Sequence, residues 1–450
     1  MKNSAQFKGQ KILVLGLAKS GYAAAKLLHS VGAEVIVNDA SPLENNQAAA
    51  ALLADGIQVI CGGHPENLLD SPFDLIVKNP GIAYSNPILI QAAERGLPVW
   101  TEIELAYRIS EAPIIGITGS NGKTTTTTLL YHMLNIGHEH PLIAGNIGTV
   151  ACSVAEEAKE DNIIVLEASS FQLMGVEQFR PKIAIITNLY EAHLDYHGDI
   201  HAYRKAKAQI TKNQLADDYF IYNADQAHVA DIAKASKATT IPFSVEGKKM
   251  IGISADDQQI YWNGEPFIER SMIKLPGKHN LENILCAVAA AKLIGCNQSA
   301  IVDVLSSFTG VKHRMQFVKE LKGRKYYNDS KATNTLATKS ALTAFEGPVV
   351  LIAGGLDRGH SFEELRPYMA HVKAVIALGE TKERFSEFAN SCGVADVKEA
   401  TTMEEAVQLA ADLSLENDVI LLSPASASWD EYKSFEVRGD RFIDAVKALN

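Results

Sequence analysis

An apolar run, Ile114–Thr118, meets the turn Gly119-Ser-Asn-Gly122, which delivers Lys123 and the threonines Thr124–Thr128 onto a predicted helix. That arrangement suits a polyphosphate. Glycines let several backbone N–H groups converge on one anion, and a helix N-terminus adds partial positive charge. Lys123 would reach the β- and γ-phosphates, and the Thr124 hydroxyl would sit on Mg²⁺. The spacing departs from G-x-x-x-x-G-K-[ST] at its first position, where Ile117 stands; the glycines fall at 116 and 119. An ordinary glycine-rich turn is the plain alternative, but a strand before and a helix after favour ATP.

Other segments carry chemistry in the same style. Ile163–Leu166 ends in Glu167, as a metal-holding strand end does in phosphoryl-transfer enzymes, although a helix-capping acid reads the same way. The run Ile183–Thr187 leads through Asn188 into Glu191-Ala-His193-Leu-Asp195, so His193 follows a strand of the sheet that bears the phosphate loop. Tyr203-Arg-Lys-Ala-Lys207 alone reads as a solvated helix face. Asn328-Asp-Ser-Lys-Ala-Thr-Asn334 and Ser423-Pro-Ala-Ser-Ala-Ser-Trp-Asp430 each follow a strand, where open α/β sheets place polar ligands. Near the start, Gly16-Leu-Ala-Lys-Ser-Gly21 follows the strand Lys11–Leu15, and Asp39 closes the next strand. This is half of a dinucleotide fingerprint. It lacks the second glycine, so NAD, a nucleotide diphosphate, or no ligand at all remain open there.

These loops need scaffolds. Three successive stretches alternate apolar strands with amphipathic helices, as parallel α/β sheets require. Predicted strands include Glu34–Asn38, Tyr219–Asn223, Lys325–Asn328, Val349–Ala353, Ala374–Leu378 and Val419–Leu422, and Asn280–Ile294 reads as a helix. The 450 residues divide into expected domains 1–110, 111–310 and 311–450. With 47% hydrophobic and 21% charged residues, the chain has ample core. A net charge of −11 argues against nucleic acid and anionic membranes as partners. Five scattered cysteines without C-x-x-C pairing fit reduced thiols and a cytoplasmic location. No signal peptide or membrane span is expected.

Taken together, the motifs resemble the ATP-dependent muramyl amino-acid ligases that build the peptidoglycan stem peptide. The general features are the phosphate loop, the Glu167 strand end, the His193 segment, the Tyr203–Lys207 helix, Gly277-Lys-His-Asn-Leu-Glu-Asn283 and His313-Arg314. The loops at 328–334, 354–359 (Gly-Gly-Leu-Asp-Arg-Gly) and 423–435 are similar to the branch that adds D-glutamate; the Asp-Asn-Pro-Arg motif of the diaminopimelate- or lysine-adding relatives is absent. Folylpolyglutamate synthases share the ATP core but would lack the N-terminal nucleotide domain. The resemblance implies an α/β fold of three domains, each a mainly parallel sheet with flanking helices: Rossmann-like, P-loop ATPase-like, then Rossmann-like. It also implies a monomer that uses ATP and two Mg²⁺ ions on UDP-N-acetylmuramoyl-L-alanine (UDP-MurNAc-L-alanine) and D-glutamate.

The same resemblance assigns roles. ATP falls to Gly119, Ser120, Asn121, Gly122, Lys123, Thr124, Thr125, Asn280, Asn283, Arg314, Asp329 and Lys331, the last two from a third domain expected to close over the nucleotide. Metal falls to Thr124, Glu167, His193 and Lys207, the lysine as a carbamate; Lys123, His193 and Lys207 are the catalytic set. Lys205 is an extra lysine beside the expected position. Substrate contacts are expected from Asn146, Ser169, Leu17, Ala18 and Asp39, and the D-glutamate site from Thr333, Arg358, Ser428 and Phe435. Two other classes stay in view. A dehydrogenase would exploit the N-terminal turn but leave the lysine-bearing phosphate loop unexplained. A non-enzymatic nucleotide-binding regulator would bind ATP without amino-acid-dependent phosphate release.

Overall fold

The computed structural model describes residues 1–247, 250–275, 277–345 and 347–449, with the backbone alone at Asn45 and Asp195. The chain divides into two compact units, residues 1–308 and 309–450. No described helix is long and apolar enough to cross a membrane.

Unit 1 holds two sheets. The first is wholly parallel, in the order β3-β2-β1-β4-β5, from β1 (Lys11–Leu15), β2 (Glu34–Asp39), β3 (Gln58–Cys61), β4 (Leu75–Lys78) and β5 (Val99–Thr101). Strand order reverses between β1 and β4. A crevice for ligand opens at such a reversal, beyond the carboxyl ends of the strands.

The second sheet comprises β6 (Ile114–Thr118), β7 (Pro141–Gly145), β8 (Ile163–Glu167), β9 (Ile183–Ile186), β10 (Tyr219–Asn223), β11 (Thr239–Ser244), β12 (Ile253–Ala255), β13 (Gln259–Trp262) and β14 (Glu265–Glu269). Its order is β14-β13-β12-β11-β10-β9-β6-β8-β7. The strands β6, β8 and β9 are buried along their whole length, which explains their continuous apolar runs. An antiparallel extension, β12–β14, adds to the strands that the sequence pattern predicts. One apolar core runs from Ile12 and Val14 through Ile103 and Leu105 to Ala144 and Leu166, joining the two sheets within unit 1.

Unit 2 carries a sheet in the order β15-β16-β20-β17-β18-β19, with β15 (Gln316–Leu321), β16 (Arg324–Asn328), β17 (Val349–Gly354), β18 (Val372–Leu378), β19 (Asp396–Glu399) and β20 (Val419–Leu422). Only the β15–β16 pair is antiparallel among the described pairings. Its central strand β20 lies between β16 and β17, so three strand ends place their loops side by side.

Candidate active site

Strand β6 lies between β8 and β9, so its phosphate loop emerges between Glu167 on one side and Thr187-Asn188 on the other. The loop needs glycine twice. Gly119 has φ +151° and a Cβ there would stand 1.9 Å from Thr187 Oγ1; Gly122 has φ +81° and a Cβ there would meet Asn283 Oδ1 at 1.9 Å. Side chains then lock the turn. Asn121 N donates to Asn188 Oδ1 (2.9 Å), and Thr187 Oγ1 donates to the Asn121 carbonyl (2.7 Å). Lys123 Nζ donates to the carbonyls of Gly119 (2.9 Å) and Ser120 (3.0 Å). Gly122 is the N-cap of the helix Lys123–Ile136 and offers no side-chain cap, so the positive end of the helix dipole faces the loop. Thr124 is buried, Thr125 half-buried. Behind the loop, helix Lys278–Ile294 presents Asn280 and the buried Asn283, whose Oδ1 has no hydrogen-bond partner among the described residues.

Beside it, Glu167 is 1% exposed. Its Oε1 accepts from Asn146 Nδ2 at 2.9 Å, while Oε2 is buried with no partner among the described residues. Glu167 is therefore not a helix cap; Ser169 caps the next helix, in a reciprocal box with Gln172. An orphaned carboxylate oxygen at a phosphate loop fits a hard cation. His193 takes φ 55°, a left-handed conformation uncommon outside glycine, at the start of the short helix Leu194–His197. The Asp195 side chain lies outside the described residues.

The helix Ile200–Ala208 overturns the solvated-face reading at two positions and keeps it at a third. Tyr203 is buried, with its hydroxyl 2.9 Å from Ser120 Oγ of the phosphate loop. Lys207 is 2% exposed, donates to Thr118 Oγ1 (3.2 Å) and lies 5.0 Å from the Tyr203 ring centroid. Lys205 is exposed. Burial pushes the Lys207 amine well below the usual lysine range, the Lys123 charge pushes it further, and Glu167 opposes both. His193 and Lys207 both border Tyr203, the His193 ring at 6.4 Å between centroids.

In the first sheet, Gly16 turns at φ +91°, and helix Lys19–Ser30 starts without a side-chain cap. Asp39 fastens this turn by accepting Leu17 N (2.6 Å) and Ser41 N (2.8 Å). Leu17 is buried and Ala18 exposed. Opposite lies a wall that the sequence did not reveal, the Asn79–Tyr84 loop after β4. A Cβ on Gly16 would stand 2.8 Å from Ile82 Cδ1 and 3.0 Å from Asn79 Cβ.

Unit 2 gathers its candidates at neighbouring strand ends. Asp329 is buried and accepts Met315 N (3.1 Å) and Ser423 Oγ (3.0 Å); burial pushes its carboxyl up to about 7, against those bonds and the Arg314 charge. Lys331 Nζ lies 5.7 Å from the Phe435 ring centroid, and Thr333 N donates to the Lys331 carbonyl. Ser428 is buried; the exposed Arg358 stacks on Trp429 at 4.9 Å. Arg438, buried and given no role by the sequence pattern, ties these loops together through the carbonyls of Ser330, Gly354, Ser426 and Ala427.

Family models match along the chain: residues 10–101 the Mur ligase MurD-like N-terminal domain, 117–291 the Mur ligase middle domain, and 313–426 the Mur ligase glutamate ligase domain. The chain belongs to the Mur ligase family. It is similar to the UDP-N-acetylmuramoylalanine–D-glutamate ligase of Bacillus cereus strain G9842, 55% identical over 449 residues and 100% of both chains. The ligase of the same name from Bacillus cytotoxicus is 56% identical over 450 residues, again 100% of both chains. Among solved structures, the MurF ligase of Thermotoga maritima in complex with ADP shares the fold, at TM-score 0.54 and 17% identity, covering 99% of this chain and 96% of that one. The dehydrogenase and regulator readings give way to an amide-forming ligase.

Proposed function

We propose that this chain joins D-glutamate to UDP-MurNAc-L-alanine with ATP, a step of peptidoglycan precursor synthesis. The observation that carries the reading is full-length identity of 55% to ligases of that name, together with a clamped phosphate loop and an orphaned carboxylate beside it. A carboxylate forms no amide at useful rate, because its oxygen leaves poorly. An oxygen of the L-alanine carboxylate therefore attacks the γ-phosphorus, the bond to the β-phosphate oxygen breaks, and ADP departs. The D-glutamate amine then adds to the acyl carbon and loses a proton, and the tetrahedral intermediate expels phosphate. Such transfer depends on in-line positioning and charge neutralisation.

In this mechanism the Gly119–Thr125 backbone and Lys123 hold the phosphates, with Asn280 and Asn283 behind them and Arg314, Asp329 and Lys331 assigned to ATP from unit 2. Thr124, Glu167, His193 and Lys207 would hold Mg²⁺, which supplies neutralisation of phosphoryl charge when bound. The lowered Lys207 amine supports its modification: the neutral nitrogen bonds to the carbon of CO₂ and releases one proton, giving oxygen donors that an ammonium lacks. Leu17, Ala18, Asp39, Asn146 and Ser169 are assigned to the nucleotide substrate, and Thr333, Arg358, Ser428 and Phe435 to D-glutamate. Domains 1–110, 111–310 and 311–450 divide these tasks. All five cysteines are free, which supports a reducing compartment, the cytoplasm.

Phosphate release tests the reading. It should require ATP, UDP-MurNAc-L-alanine and D-glutamate together, with L-glutamate nearly silent. Equal rates with another amino acid in place of D-glutamate would overturn the specificity.

A further inference from the structure

We propose that Lys78 is a positioning residue for the nucleotide substrate: its ammonium, sealed beneath the Asn79–Tyr84 loop, holds that loop in the shape that faces the Gly16–Gly21 turn. The inference rests on the reading above that the first sheet takes a uridine nucleotide.

Lys78 ends β4 and is 1% exposed. An ammonium has three N–H donors, and the chain immediately following supplies three acceptors: the carbonyls of Asn79 (3.3 Å), Pro80 (3.1 Å) and Ile82 (2.9 Å). The Tyr84 ring closes the remaining side, 4.8 Å from Nζ to its centroid. Among the described residues no carboxylate pairs with this cation. A buried charge satisfied only by the carbonyls of one loop stabilises the loop conformation that brings them together.

That conformation matters because β1 and β4 flank the reversal of strand order, so the Gly16 turn and this loop are the two lips of one crevice. They are in contact: Asn79 N donates to the Leu15 carbonyl, and Asn79 Nδ2 lies 3.5 Å from Ser20 Oγ. Tyr196 also donates to the Ile82 carbonyl (3.2 Å), tying the loop to the short helix that begins after His193. Lys78 touches no ligand in this account; it acts through the loop.

Burial lowers the Lys78 amine from 10.5 to about 8. Above that pH a neutral amine keeps two donors for three carbonyls, and the loop loses a bond and a charge. The titratable groups facing it are Tyr84, pushed up to about 12 by burial and by Tyr196, and beyond it Tyr196 itself, also raised by burial. Neither loses its proton between pH 7.5 and 9.5.

The test is calorimetric binding of UDP-MurNAc-L-alanine to the full chain, without D-glutamate, at pH 7.5 and 9.5. Wild type should lose about tenfold in affinity across that interval, the effect of one charge-assisted hydrogen bond. Lys78→Met should bind about tenfold more weakly at pH 7.5 and show no further loss. Lys78→Arg, charged at both pH values, should lose nothing between them. Binding of ADP should be unaltered in both variants. No binding by wild type at pH 7.5 would sink the nucleotide reading itself. Wild-type affinity that is flat with pH, or an Arg variant that weakens as wild type does, would overturn the role of Lys78, whether or not the Met variant folds.

Discussion

Two strand–glycine–helix turns stand in unit 1, and they handle positive charge in opposite ways. After β6 the cation belongs to the turn itself: Lys123 is half-buried at the mouth, folded over the Gly119 and Ser120 carbonyls. After β1 the turn's own lysine, Lys19, is exposed, and the buried cation sits on the neighbouring strand as Lys78, enclosed by its own loop. A lysine at a mouth can exchange carbonyls for phosphate oxygens; one whose three donors all go to its own loop, as at Lys78, shapes backbone. The helix Ile200–Ala208 repeats the lesson within three residues, since Lys207 is buried beside the phosphate loop and Lys205 faces water. Residue type alone does not assign a role; depth and neighbours do.

The largest effect is expected from Lys123→Ala. Loss of one preorganised cation at a phosphoryl group costs on the order of 10²–10³ in rate. The expected result is a folded variant with kcat down by that factor. Near-normal phosphate release would remove the mouth lysine from catalysis.

Next in size is the pair on one helix. If a carbamate on Lys207 gives Mg²⁺ an oxygen donor, as proposed, Lys207→Ala should lower the rate by roughly 10². Acetate or propionate should restore part of it, and bicarbonate none, while Lys205→Ala stays close to wild type. An inactive Lys205 variant would reverse the assignment.

Unit 2 adds a cation of its own, the exposed Arg358 on Trp429. Its guanidinium is suited to grip a carboxylate in two places. Arg358→Ala should raise KM for D-glutamate roughly ten- to a hundredfold, the range for a charged hydrogen-bonded pair, with KM for ATP unchanged. A change in ATP alone would move Arg358 to the nucleotide.

The smallest effect concerns the seam between the sheets that carry the two turns. Glu102 opens helix Glu102–Ile109, is 1% exposed, and burial raises its carboxyl from 4.5 to about 7 against the bond from Cys152 N. The folded chain therefore keeps a proton that the unfolded chain gives up above pH 4.5. Its contribution to stability is full below that pH, falls as pH rises to about 7, and stays lost above. Glu102→Gln should match wild type in urea at pH 5 and exceed it at pH 8 by on the order of 1 kcal/mol. Equal stability at both values would show the carboxyl to be ionised at no cost.

The phosphate loop, the Glu167 strand end and the unit 2 loops were legible in the sequence because each is a local pattern of strand, turn and polar residues. Their partners were not. Thr187 and Asn188 clamp the loop only because β9 lies beside β6, a pairing over 60 residues distant in sequence. The wall opposite Gly16 depends in the same way on β4 taking the far side of β1. Lys78 ends an apolar run, Leu75-Ile-Val, and such a lysine ordinarily reads as the point where a strand meets water. The extension β12–β14 hid because its strands are short and its pattern mixes polar with apolar residues.

Oxygen transfer shows whether this chain makes its amide through an acyl phosphate. UDP-MurNAc-L-alanine labelled with ¹⁸O in both carboxylate oxygens is turned over with ATP and D-glutamate, and the released phosphate is weighed by mass spectrometry. An acyl-phosphate route puts one ¹⁸O in each phosphate and leaves one in the amide product. Unlabelled phosphate alongside amide formation would contradict it.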